Sequence, residues 1–194
     1  FGTVASPASR AVVIGGAGGT VNTSGNAVTF AGNVSGTGGL TKTGAGTLTL
    51  SGNNTRSGYT DIEQGRLSLQ NGNALADGAR VTIADLAGAG LDVATSETIG
   101  SLAGGGSSGG DVTLSNAATL NVGGDDSSTI FAGSITGGGS LVKTGAGLFH
   151  LTGISNYSGD TDVLDGTLSV NGSLAGAVNI GSGARLQGTG SVGM

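Results

Sequence analysis

Three short stretches of this 194-residue chain carry residue types that do chemistry in other settings. Gly104-Gly105-Gly106-Ser107-Ser108-Gly109 satisfies G-x-G-x-x-G, the spacing with which a glycine turn brings a helix N-terminus to a dinucleotide's pyrophosphate. That chemistry needs a strand before the loop and a helix after it. Here the strand-like run Asp111-Val112-Thr113-Leu114 follows, so the stretch reads as a corner loop. Within it, Gly105-Gly106-Ser107-Ser108-Gly109 satisfies G-x-S-x-G, the elbow of a serine nucleophile, which requires a strand-turn-helix context and a histidine base. The one histidine, His150, stands between Phe149 and Leu151, and alternation turns it outward if those two face in. A hydrolase triad is not supported. Asp125-Asp126 after Gly123-Gly124 has the look of a calcium turn, but the G-G-x-G-x-D nonapeptide repeat is absent and a polar turn is expected. Asp160, Asp162 and Asp165 cluster, and Asp61 and Glu63 cluster earlier. A polysaccharide lyase groove would add basic residues and aromatic platforms, which are missing. No catalytic, cofactor-binding or metal-ligating residue is assigned.

What remains is contact chemistry. Tyr59, Asp61, Tyr157, Asp160 and Asp162 form the candidate interaction surface, with Arg56 near the first tyrosine; packing of the tyrosines on the side of the fold is the alternative. Lys42 and Lys143 read as solvated edge residues whose stems cover apolar surface.

The elements that hold these residues are set by composition and repetition. Glycine accounts for 43 residues, proline for 1, cysteine for none and aromatics for 3%, while 36% are apolar and only 10% charged. Disordered chains show the reverse balance of charge and apolar content, and collagen needs glycine at every third place. An ordered, turn-rich all-β chain is left. The net charge of −5 and the scattered basic residues give no stripe to neutralise phosphates, which excludes nucleic acid as a partner. No apolar run is long enough to span a membrane as a helix, and Phe1–Ser9 lack the basic start and apolar run of a leader.

Residues 30–70 and 131–171 align without a gap at an offset of 101, as Lys42 with Lys143 and Gly65 with Gly166 show. Short alternating runs such as Thr47-Leu48-Thr49-Leu50 and Thr167-Leu168-Ser169-Val170 recur about every 8–12 residues and end at Gly, Asn, Asp or Ser. Hairpin signals are few, bulky core residues are scarce, and almost no helix is expected. A parallel β-helix fits best, with about 20–25 residues per rung, so that the offset spans four or five rungs. Asn53, Asn54, Asn71, Asn116 and Asn171 are candidates for stacked ladders at the turns.

At these residues the chain resembles a bacterial autotransporter passenger domain. The pattern G-x-L-x-K-x-G-x-G-x-L-x-L-x-G, then S-G-x-T, then G-x-L-x-V, is similar to the passenger-associated transport repeat, at Gly39–Leu69 and Ser140–Val170. The resemblance implies a right-handed parallel β-helix at, or released from, a Gram-negative surface. It also implies a C-terminal β-barrel translocator elsewhere in the full-length chain. Residues 1–194 then read as one β-helix segment of a longer passenger: a non-enzymatic stem that supports adhesion and secretion. The alternatives are a direct adhesin or self-association module, with a host-cell or matrix ligand, and the scaffold of a secreted hydrolase whose active site lies outside.

Overall fold

The computed structural model describes residues 10–193; Phe1–Ser9, on which the leader reading falls, lie outside the described residues. Among the described residues no helix forms, and short strands pair in parallel as a solenoid of about nine turns. Each segment shows the cause. In Thr47–Leu50 the threonines are half-buried and the leucines buried, the period of two that a strand imposes. Such a run cannot bury a face alone, so the chain turns and lays the next run beside it: Leu40, Thr60, Val81 and Leu102 follow one another as Cα partners. Nine strands at the ordinary strand spacing make a rod roughly 40 Å long.

Each rung crosses three faces. One is a continuous nine-stranded sheet running from Gly19–Asn22 to Arg185–Gln187. The second is a six-stranded sheet from Val28–Phe30 to Ile135–Gly137, carried on by a three-stranded sheet that starts at Ile154–Ser155. The third opens with the pair Val12–Val13 and Val34–Ser35 and ends as a five-stranded sheet from Glu97–Ile99 to Val178–Ile180. The core is a set of columns through the rungs. Val28, Leu48, Leu67, Leu91, Val112 and Ile135 form one of them, all buried. Each such side chain contributes about 1.5–3 kcal/mol.

On the third face, side chains bridge rungs that lack a ladder. The Asn54 amide accepts from the Val34 N–H at 2.7 Å and donates to the Ala74 carbonyl at 2.8 Å. At the corner that follows the nine-stranded sheet, Asn171 likewise accepts from the Thr189 N–H. These two asparagines bond backbone across rungs, where stacking on one another was expected: a backbone group left open by a missing strand pair is the costlier vacancy.

The 101-residue offset, expected to span four or five rungs, falls between the two. From Leu40 the chain re-enters the nine-stranded sheet at Thr60, Val81, Leu102 and Thr129, then crosses the second face at Ile135 before Leu141 enters the five-stranded sheet. The second copy thus begins two faces beyond the fourth rung. The turns themselves do not change. Gly44 and Gly145 have φ of 77° and 67°, and Gly65 and Gly166 have 68° and 64°, the left-handed values that glycine adopts without a Cβ penalty.

Candidate functional site

The two lysines, expected at a solvated edge, are interior, 0% and 1% exposed. Their position after Leu40-Thr41 and Leu141-Val142 makes them the last inward residue before the corner, and the corner carbonyls converge on them. Lys42 Nζ donates to the carbonyls of Thr43 (3.0 Å), Gly44 (2.7 Å) and Gln64 (2.8 Å) and to Thr23 Oγ1 (3.0 Å). It ties its own rung to the one before and the one after. Lys143 Nζ donates to the carbonyls of Thr144 (2.5 Å), Gly145 (2.7 Å) and Asp165 (3.3 Å). Burial pulls Lys42 down to about 8, which leaves it an ammonium at neutral pH. Burial lowers Lys143 as well, with Asp165 and Asp126 acting against it.

Three more polar groups are spent inside the coil. Tyr157, placed on the interaction surface by the sequence, is 0% exposed, and its hydroxyl meets Thr161 Oγ1. It aligns with Arg56, which fills the same slot: the guanidinium donates to the carbonyls of Gly58 and Tyr59, both at 2.7 Å, and to Thr60 Oγ1 at 2.5 Å. Glu97 is also buried, its carboxylate accepting from the Ala74 N–H (3.0 Å) and the Leu75 N–H (3.3 Å). Burial pushes it up to about 7, against those two hydrogen bonds. Nothing in the alternation marked Glu97, because glutamate at an inward place has no ordinary reading from sequence.

The rest of the nominated set faces out. Tyr59 is 44% exposed, Asp160 exposed, and Asp61 and Asp162 half-buried. Tyr59, Asp61 and Glu63 are joined by Arg80 on the neighbouring strand, its guanidinium 5.2 Å from the Tyr59 ring centre and 3.5 Å from Asp61 Oδ1. Asp160 and Asp162 belong to the five-stranded side, where Asp162 accepts from Asn179 Nδ2 at 2.8 Å. The structure therefore splits the set in two. Arg80 was missed because its neighbour relation runs through the rung register, Thr60 with Val81, and not through the 101-residue offset.

The motif loops resolve into turns. Gly104 ends a strand and Asp111 starts the next, with the loop between them pinned by Asp85, which accepts from the Ser108 and Gly109 N–H groups. No helix follows to meet a pyrophosphate. The groove beside Ser107 is lined by Asp111, Ser134, Thr152 and Ile154 and includes no histidine. His150 points outward between Ile130 and Ser169, half-buried, with Nε2 unpartnered. Asp125 accepts from Ser101 Oγ and from Ser127, and these bonds outweigh its burial to hold the carboxyl below its usual value. Asp126 accepts from the Ala146 N–H. Among the described residues no group of three or more His, Cys, Asp or Glu is placed to hold a metal ion, and no helix is long and apolar enough to cross a membrane.

Residues 40–69 and 141–170 match the passenger-associated-transport-repeat family, the two blocks whose corners close on Lys42 and Lys143. The chain is a stretch of autotransporter passenger. The passenger is similar to the adhesin BmaC autotransporter of Brucella suis biovar 1 (strain 1330), 37% identical over 157 residues, 79% of this chain and 5% of that protein. It is similar also to two extracellular serine proteases of Serratia marcescens, 44% and 43% identical over 63 residues, 32% of this chain and 6% of each. It therefore spans about a twentieth of the length of these relatives. No solved structure matches it at a significant level. The passenger's place is the bacterial surface or the medium beyond it.

Proposed function

We propose that this passenger segment is a non-enzymatic stem, one β-helical piece of a longer passenger that holds an adhesive region off the bacterial surface and favours folding during export. The observation that carries the reading is where the ionic chemistry goes. Lys42, Lys143, Arg56 and Glu97 are buried and bonded to the coil's own carbonyls and amides, so groups that would face a substrate in an enzyme tie rung to rung here. Similarity to a protein named an adhesin over most of the chain supports the same reading. The partner it implies is a C-terminal β-barrel translocator in the same full-length chain, through which rungs emerge and stack in order, each buried apolar stripe opposing return.

A second reading, direct adhesion or self-association along the rod's side, draws support from the exposure of Tyr59 and Asp160 and from Asp61 and Asp162 beside them. The named serine proteases support a third, a scaffold for a hydrolase domain elsewhere, over a shorter stretch. The test is made in the full-length protein. Replacing Tyr59, Asp61, Asp160 and Asp162 together should leave display and adhesion intact, while Leu151→Asp should slow surface appearance. Adhesion lost at normal display would move the function to the rod's side.

A further inference from the structure

We propose that Asn71-Gly72 is a self-modification site, where the asparagine converts to aspartate and isoaspartate without an enzyme and loosens its own rung. The chemically identical Asn171-Gly172 is shielded by the coil. The modification bears on the rod's stability and leaves the stem reading as it stands.

One dipeptide holds all the reacting groups. The Gly72 nitrogen gives its proton to water or hydroxide and attacks Cγ of Asn71. A C–N bond forms to make a five-membered imide, the bond to the side-chain nitrogen breaks, and ammonia leaves. Water then opens the imide at either carbonyl. Opening at one gives aspartate and at the other isoaspartate, and each carries a new negative charge. Asparagine is thermolabile for this reason, and a glycine after it, with no Cβ, lets the main-chain nitrogen approach.

The chain holds two such pairs, at 71–72 and 171–172, and their sequences alone rank them equal. Their surroundings differ. Asn71 lies between Arg66–Leu69 and Arg80–Ile83, in a stretch where no strand forms. It is half-buried and Gly72 is exposed. Among the described residues neither the Asn71 side-chain amide nor the Gly72 N–H has a hydrogen-bond partner. Asn171 directly follows the strand Thr167–Val170. Its side chain accepts from the Thr189 N–H at 3.2 Å, and the Gly172 N–H donates to the Leu151 carbonyl at 3.3 Å. A Cβ at Gly172 would run into the Gly153 carbonyl, so the main chain there lies packed on the preceding rung. At Gly72 the nearest atom to such a Cβ is the Ser96 carbonyl oxygen, 3.0 Å away.

The product acts on what holds this stretch. Its turn closes through the Ala74 N–H on the Asn71 carbonyl at 2.9 Å, and the Ala74 and Leu75 N–H groups are the ones that Glu97 accepts from. Isoaspartate routes the main chain through the former side chain, which adds a methylene to that turn and draws Ala74 away from Glu97. The new carboxylate also joins Asp77, which already opposes the charge on Glu97.

The experiment incubates the 194-residue chain in mildly alkaline buffer, folded and in urea, with tryptic digestion at intervals. Fragment-ion mass spectrometry of peptides 67–80 and 144–185 assigns each gain of one mass unit to a residue. In urea the two asparagines should convert at comparable rates. In the folded chain Asn71 should keep close to its urea rate, while Asn171 slows by about tenfold or more because two hydrogen bonds must open first. The isoaspartate fraction, separated by anion exchange, should unfold at lower urea than the unconverted chain, and Asn71→Gln incubated alike should keep its midpoint. Equal rates at the two sites in the folded chain overturn the proposal, as does an Asn71 protected as well as Asn171. An unchanged urea midpoint in the isoaspartate fraction overturns it as well.

Discussion

The first copy of the repeat turns from the nine-stranded sheet into the six-stranded one, and the second makes the same turn from the five-stranded sheet into the nine-stranded one. The two corners sit at different vertices of the coil and meet different neighbours, yet both place a lysine inside, aim it at the carbonyls of the next two residues and reach into the following rung, at Gln64 or Asp165. What differs is the filler. Arg56 with four polar contacts and Tyr157 with one occupy equivalent slots, and both reach the equivalent threonines Thr60 and Thr161. The comparison teaches that the corner is encoded locally, by turn glycines and one buried ammonium, while the vertex is set by the lengths of the segments between.

The equivalence is open to attack at several places. The largest effect is expected from charge in the apolar columns. Leu50→Asp and Leu151→Asp each bury an unpaired carboxylate and should cost about 4–5 kcal/mol or more, read as lost cooperative unfolding and slowed surface appearance. Tolerance in one copy alone would break the symmetry. Next, Lys42→Met and Lys143→Met strand the corner carbonyls, each at about 3 kcal/mol in urea unfolding. Lys42 should cost the more, since it also holds Thr23.

Glu97 lies between the copies and belongs to neither, and its effect is one of pH. Burial holds its carboxyl at about 7 in the folded chain, above the ordinary 4.5, so from pH 4.5 to 7 the folded chain keeps a proton that the unfolded chain releases. Stability should fall over that window by about 3 kcal/mol and level off above it, and Glu97→Gln should flatten the curve. A profile rising from pH 4.5 to 7 would contradict the burial of this carboxyl. Smallest, Tyr157→Phe should cost about 1 kcal/mol through its single hydroxyl contact, with Thr161→Val giving no further loss in the double variant.

Much of the fold was legible in the sequence because its signals are local. Runs such as Thr47-Leu48-Thr49-Leu50 state which residues face in, and the structure places them so. The rung register was not legible, since it depends on segment lengths that vary; the long excursion between Leu102 and Thr129 shifts everything beyond it. The buried lysines escaped notice because Lys-Thr-Gly-Ala-Gly has the composition of a solvated turn, and only the convergence of carbonyls in three dimensions makes an interior ammonium tolerable. Tyr59 and Tyr157 looked alike as loop tyrosines, yet Tyr157 aligns with Arg56 and Tyr59 with Asp160, so one points in and the other out.

The most direct test of a locally encoded corner is an exchange of blocks. Residues 40–69 are replaced by the sequence of residues 141–170, so that both vertices carry the second copy. A folded coil with an unchanged far-UV spectrum and a single cooperative urea transition is expected, shifted by the loss of outer contacts such as Arg66 with Asp92 and of the inner bonds of Asn54 and Arg56. A chain that fails to fold, or that unfolds in separate steps on either side of the exchanged block, would show that the vertex and not the block dictates the turn.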